Sequence, residues 1–228
     1  MPFGSGGPQT ALPCIFFFGG REPTLAAIRS AILTIAVSEA NARLKEEVRA
    51  FWQAHPCGTK FADAEPGTRR FYELVEKHRY DGEWHIPAAA GFADTRGSLV
   101  LEIGCGLGTD GAQFAKAGAE YTGVDLTEAA IELARRRFEL FNLPGHFQTA
   151  DAERLEFADE TFDVVYSHGV LHHTPDPETA VSEIHRVLKR GGRIRLPGFT
   201  RGKRPGPFSR PSVKCDSRLT FSTSVGCR

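Results

Sequence analysis

Hydrophobic positions along this chain change their spacing in a way that separates helices from strands. Leu44, Val48, Phe51 and Trp52 fall at i, i+4, i+7 and i+8, one face of a helix beginning near Ala40. Phe71, Leu74, Val75 and His78, at i, i+3, i+4 and i+7, mark a second such face. From Ser98 onward, short apolar runs alternate with helical stripes. Leu99–Ile103 reads as a strand, and the helix after it, about 109–117, ends where Gly118 can take the left-handed conformation. A second strand ends at Asp125. Thr127 then stands at an N-cap position with Glu128 in the first turn, and Ile131, Ala134, Phe138 and Phe141 stripe the following helix. Strands at about 146–150 and 163–167 follow. A last helix carries Ala180, Ile184, Val187 and Leu188 and is expected to end at Arg190-Gly191-Gly192, with a fifth strand opening Arg193-Ile194-Arg195-Leu196. Strand and helix in alternation predict an α/β fold, a doubly wound and mostly parallel sheet with helices on both faces.

Four segments follow. Residues 1–39 are expected to be a disordered leader, the first 24 being rich in Gly and Pro without a helical or strand period. Residues 40–97 form a helical cap over the ligand side of the sheet. Residues 98–196 are the α/β core, and 197–228 a basic tail expected to be disordered. Pro197 removes a ladder donor where the fifth strand would continue.

The densest chemistry lies in Val100-Leu101-Glu102-Ile103-Gly104-Cys105-Gly106-Leu107-Gly108-Thr109-Asp110. A strand meets three alternate glycines and a helix begins at once, a turn that lets backbone N–H groups approach a ligand. An acid, Asp125, ends the next apolar run; Asp151 ends the one after; Phe162-Asp163-Val164-Val165-Tyr166-Ser167 is the fourth. The order and spacing resemble the class I S-adenosylmethionine (SAM)-dependent methyltransferases, in particular the small-molecule group typified by the ubiquinone and menaquinone enzymes. The resemblance runs from about Ser98 to Leu196. A dinucleotide-binding G-x-G-x-x-G turn would need glycine at 109, where this chain has Thr109, which disfavours the alternative of an NAD(P)-linked oxidoreductase.

The resemblance implies a Rossmann-like fold, SAM as cofactor and a small-molecule acceptor methylated on oxygen, carbon or nitrogen. It places Gly104, Cys105, Gly106 and Gly108 beside the methionyl part and Glu102 near its ammonium. Asp125, followed by Leu126, lies at the ribose hydroxyls. Asp151 and the N–H of Ala152 lie at the adenine, with Glu153 as the alternative if the register slips by two. His168 opens the loop beside the methionyl group. In Leu171-His172-His173-Thr174-Pro175, His172 and His173 are candidate general bases. Equally, one imidazole can pack beneath the loop with its nitrogens satisfied. Trp52, Tyr80, Trp84 and His85, with His55 and Phe71, form the cluster from which substrate contacts are expected. The family would continue the fifth strand and add a helix and an antiparallel strand pair, absent from the pattern here. The tail therefore reads as out of frame or truncated, which keeps a SAM-binding but catalytically impaired protein as an alternative.

Composition narrows the rest. The chain has 28 Lys+Arg and 28 Asp+Glu, but 197–228 holds seven bases and one acid, leaving 1–196 with 21 bases and 27 acids. An acidic body argues against nucleic acid as a partner, as does the lack of a Pro-Pro-Tyr/Phe-type motif after the fourth strand. Five cysteines without a C-x-x-C pair suggest neither a disulfide framework nor a zinc site, and a reducing cytoplasm is the simplest location. No metal is expected at the three histidines, since no carboxylate pattern completes a site. No run reaches the roughly 20 apolar residues of a membrane span. Oligomeric state is not legible.

Overall fold

A computed structural model describes residues 25–197, so expectations for 1–24 and 198–228 lie outside the described residues. The chain divides into two compact units, 1–39 and 40–228. In the first, residues 25–39 are helical, the opening of α1 (Leu25–Ala54), where a disordered leader is expected. The local reason is that 25–54 contains neither Gly nor Pro and is rich in Ala, Leu and Glu.

The second unit holds the rest. After α1 come a 3₁₀ turn at Thr59–Phe61, α2 (Arg69–Gly82), α3 (Ile86–Ala90) and a second 3₁₀ turn at Phe92–Thr95. Then follow β1 (Leu99–Ile103), α4 (Thr109–Lys116), β2 (Glu120–Asp125), α5 (Glu128–Phe141), β3 (His146–Thr149), β4 (Phe162–Tyr166), α6 (Pro177–Val187) and β5 (Leu188–Arg195). The sheet order is β3-β2-β1-β4-β5, every pairing parallel. Strand order reverses between β1 and β4, and the carboxyl ends there are where open α/β sheets receive ligands.

β1 is buried on both faces, as a central parallel strand must be. Val100 joins Phe114, Tyr121, Phe138 and Tyr166 beneath α4 and α5. Leu101 and Ile103 join Val165, Leu171, Ile184 and Val187 beneath α6. Each large side chain so buried contributes about 1.5–3 kcal/mol, and the two layers hold the strand ends in place.

Three expectations are corrected. α6 stops at Val187, ahead of the glycines, because Leu188 is extended and pairs with Phe162. Gly191, at φ 77°, lies in the register shift that lets Arg193–Arg195 rejoin β4. In α1, Leu44 is 39% and Phe51 56% exposed. Lys45, Val48 and Trp52 are the half-buried residues, because that face borders a cavity instead of a core. In α2, Phe71 and Val75 are buried as expected, but Tyr72 joins them, His78 is exposed and Leu74 only half-buried. Among the described residues β3 and β5 are the sheet edges.

Candidate functional site

A cavity of about 490 Å³ opens at the carboxyl ends of β1, β2 and β4, within the roughly 300–1,000 Å³ range of small-molecule sites. Its floor is the glycine turn. Gly104 and Cys105 donate their N–H groups to the Val124 carbonyl at 2.8 and 2.9 Å, which ties the turn to β2. Gly104 has φ 75° and a side chain there would run into Val170, so only glycine fits. Gly106, at φ 51°, differs: a Cβ there would meet nothing within 4 Å. The backbone is bare where a ligand would lie. Cys105 is buried and burial pushes its thiol well up, so it is a packing group that stays protonated.

Asp125, at the end of β2, accepts from the Thr127 N–H and hydroxyl on Oδ1 at 3.0 and 2.9 Å, and from the Gly106 N–H on Oδ2 at 3.1 Å. Thr127 is the N-cap residue of α5 by position, yet its hydroxyl is spent on Asp125 and makes no capping bond. Burial pushes the Asp125 carboxyl up against these hydrogen bonds. Glu102 lies deeper, with only Tyr121 bonded to it in the described structure, its hydroxyl donating to Oε2 at 2.6 Å. Burial and the nearby Asp110 raise its carboxyl well above the usual range. Asp151 accepts from Lys45 Nζ on Oδ2 at 2.6 Å and from the Glu153 N–H on Oδ1 at 2.9 Å. It lines the cavity beside Ala152, with Leu126 nearby. Glu153 does not line it, being occupied by Lys45, Thr174 and the Asp176 N–H.

Of the expected substrate cluster, the structure brings only Trp52 to the cavity. Trp84 is 77% exposed, and His85 and His55 are also exposed. Phe71 is core. Tyr80 turns its hydroxyl to Asp110 Oδ1 at 2.9 Å. The three loop histidines separate likewise. His173 lines the cavity, edge-on to Trp52 with ring centroids 5.6 Å apart. His172 lies behind it, beside Leu196 and Pro197. His168 lines the cavity with Nδ1 3.2 Å from an Arg79 Nη2, so Nδ1 is the acceptor and Nε2 carries the proton.

Sequence reasoning missed the group behind His168. Buried Asp110 accepts from Arg79 Nε at 2.9 Å, from Arg79 Nη2, from Tyr80 and from Tyr166 at 2.6 Å. Burial alone would raise its carboxyl; the Arg79 guanidinium and the two phenols outweigh it and hold Asp110 below the usual range. Arg79 lines the cavity and is further held by Glu83 at 3.1 Å. The one signal available was a polar side chain, Asp110, in the first turn of a helix over an apolar sheet.

The family model described as "Methyltransferase domain" matches residues 101–196, from β1 through β5. This core belongs to the class I SAM-dependent methyltransferase family. SAM is the cofactor of that family, and the alternative of a nicotinamide enzyme is set aside. The methyltransferase core is 34% identical over 99 residues to "Ubiquinone biosynthesis O-methyltransferase" of Coxiella burnetii, covering 43% of this chain and 42% of that protein. It is 37% identical over 122 residues to "Fatty-acid O-methyltransferase" of Mycolicibacterium smegmatis, covering 53% and 43%. The chain thus spans less than half the length of these two curated relatives. The PH0226 protein of Pyrococcus horikoshii shares the fold at a TM-score of 0.50 and 25% identity, over 64% of each chain.

The residues present fit SAM: bare backbone at Gly106, carboxylates at three successive strand ends, and a cavity of adequate size. Among the described residues no helix is long and apolar enough to cross a membrane, and no His/Cys/Asp/Glu group could hold a metal ion.

Proposed function

We propose that the protein transfers a methyl group from SAM to an oxygen of a small molecule with an apolar body. The observation that carries this reading is the convergence of Glu102, Asp125 and Asp151 with the Gly104–Gly106 turn on one cavity, whose outer wall is Val48, Trp52, Phe61, Val75 and His173. When bound, SAM would supply an electrophilic methyl carbon on a sulfonium, open to in-line attack by the acceptor oxygen with S-adenosylhomocysteine, a neutral thioether, as the leaving group.

In this reading Asp125 takes the ribose edge through Oδ2, which keeps one lone pair beside the Gly106 N–H while Oδ1 is filled by Thr127. Asp151 and the Ala152 N–H take the adenine edge, beside Leu126. Gly104, Cys105 and Gly106 border the methionyl chain while Gly108 starts α4. Glu102 faces the methionyl ammonium, and Arg79, alongside His168, offers the one guanidinium suited to its carboxylate. Residues 40–97 act as a cap that excludes water and orients the acceptor, where orientation is worth about 7–11 kcal/mol.

His173 receives the acceptor proton. Burial, with His172 alongside, holds its imidazole below the ordinary value, so it is neutral and basic at pH 7. The O-methyltransferase names of the two relatives and the apolar wall support oxygen on an apolar molecule.

Calorimetry with SAM and S-adenosylhomocysteine, followed by mass spectrometry of apolar phenols and fatty acids incubated with SAM, tests the proposal. Binding with a methylated product is the expected result. Binding without product across the panel would favour the impaired alternative, and a folded protein that binds neither ligand would overturn the reading.

A further inference from the structure

We infer that Lys45 is a positioning residue for recognition of the cofactor base: it holds Asp151 in the orientation that accepts the adenine amino group, and so ties base recognition to the seating of the α1 segment over the cavity. The inference rests on the reading of Asp151 as the adenine carboxylate.

Lys45 lies on α1, 106 positions from Asp151, yet its ammonium sits 2.6 Å from Asp151 Oδ2 and 2.5 Å from Glu153 Oε2. It lines the cavity on the same helical face as Val48 and Trp52. Glu153 is fixed in turn by Thr174 and by the Asp176 N–H at 2.9 Å, at the start of α6. One ammonium therefore joins three walls: the α1 segment, the loop after β3 and the loop after β4. The two carboxylates it bridges belong to residues two apart and repel each other without it.

Each Asp151 oxygen receives one donor from the protein, Oδ2 from Lys45 and Oδ1 from the Glu153 N–H. A carboxylate oxygen has two lone pairs, so each keeps one for a ligand. Two donors on different oxygens fix the carboxylate plane. An amino group on the base can then donate to it, whereas a carbonyl oxygen in the same place meets a fixed negative charge. Removing Lys45 frees the plane to rotate and loosens the α1 segment from the loop after β3, while Trp52 still packs on His173, so the base loses its selective partner and the ribose and methionyl contacts stay.

The test compares binding of S-adenosylhomocysteine with its 6-oxo counterpart, in which hypoxanthine replaces adenine, to the full chain and its variants. The parent is expected to prefer the 6-amino ligand by about tenfold or more, the scale of one charge-assisted hydrogen bond. Lys45→Met should weaken the 6-amino ligand by on the order of tenfold and the 6-oxo ligand by under about twofold, so that discrimination collapses; Lys45→Arg should restore most of it. Lys45→Gln serves as the second uncharged variant should Lys45→Met fail to fold. Equal weakening of both ligands, or none, would overturn the inference and leave Lys45 a tether only. A parent protein that binds neither ligand would remove the cofactor reading itself, a failure seen without any variant.

Discussion

Arg79 and Asp110 are joined by paired hydrogen bonds, Nε to Oδ1 at 2.9 Å and Nη2 to Oδ2, across 31 positions of sequence and two helices. The pair pins α2 to the first turn of α4 directly behind the cavity, and Asp110 is fully engaged by Tyr80 and Tyr166 as well. Breaking one side of such a pair leaves the other charge uncompensated. Asp110→Ala is expected to cost about 3–5 kcal/mol of stability, measured by urea unfolding. The carboxyl titrates below the ordinary 3.8, so its contribution is complete above that value. It is lost as pH falls through the lower, folded-state value. Acid unfolding below pH 4 should therefore be shallower in the variant than in the parent.

Glu102 predicts the opposite slope. Its carboxyl titrates above the ordinary 4.5, so above that pH the folded state binds a proton that the unfolded chain has released. Stability falls as pH rises through this window. Glu102→Gln should melt higher than the parent at pH 7–8, with the gain vanishing near pH 4, and should bind SAM about tenfold more weakly for want of a charged partner to the ammonium. A variant equal to the parent in both melting and binding would remove Glu102 from the site.

For Asp125, the loss of a charged acceptor at the ribose is worth about 1.5–3 kcal/mol, or about ten- to a hundredfold in affinity. Asp125→Ala should show that loss by calorimetry for SAM and for S-adenosylhomocysteine alike, since both carry the ribose. Unchanged binding would place the ribose elsewhere.

The two adjacent histidines should separate in kinetics. His173→Gln is expected to lower kcat by about 10²–10⁴ while leaving SAM affinity near that of the parent; His172→Gln should leave kcat largely intact. In the parent, kcat should drop on the acid side, below the ordinary histidine value of 6.5, because burial lowers the His173 value and only the neutral ring accepts a proton. That acid limb should be missing from the residual activity of His173→Gln.

The alternation of apolar runs and helical stripes carried the β1 to β5 order, because burial of a central strand on both faces leaves its mark within five consecutive residues such as 99–103. Glu102, Asp125 and Asp151 stand at or near the ends of these runs, and it was the resemblance to the methyltransferases that marked them as candidate site acids. What the periodicity could not carry was which way a side chain faces at a boundary. Leu44 and Lys45 are adjacent, and only the placement of that stretch of α1 against the cavity makes Lys45 the inward one. His172 and His173 are adjacent, and only the course of the loop decided that the His173 ring meets Trp52 while His172 lies beside Leu196 and Pro197. Trp84 and His85 look like ligands in sequence because they are aromatic, yet in the described structure both are exposed, away from the cavity.

Local spacing by itself determined the fold, the glycine turn and the acids at the strand ends, since these depend on interactions a few residues apart. Tertiary structure alone decided the pairings of Arg79 with Asp110 and Lys45 with Asp151, because a charge enters a partly buried site only where a distant partner offsets its desolvation, and no spacing rule reaches across 31 or 106 positions.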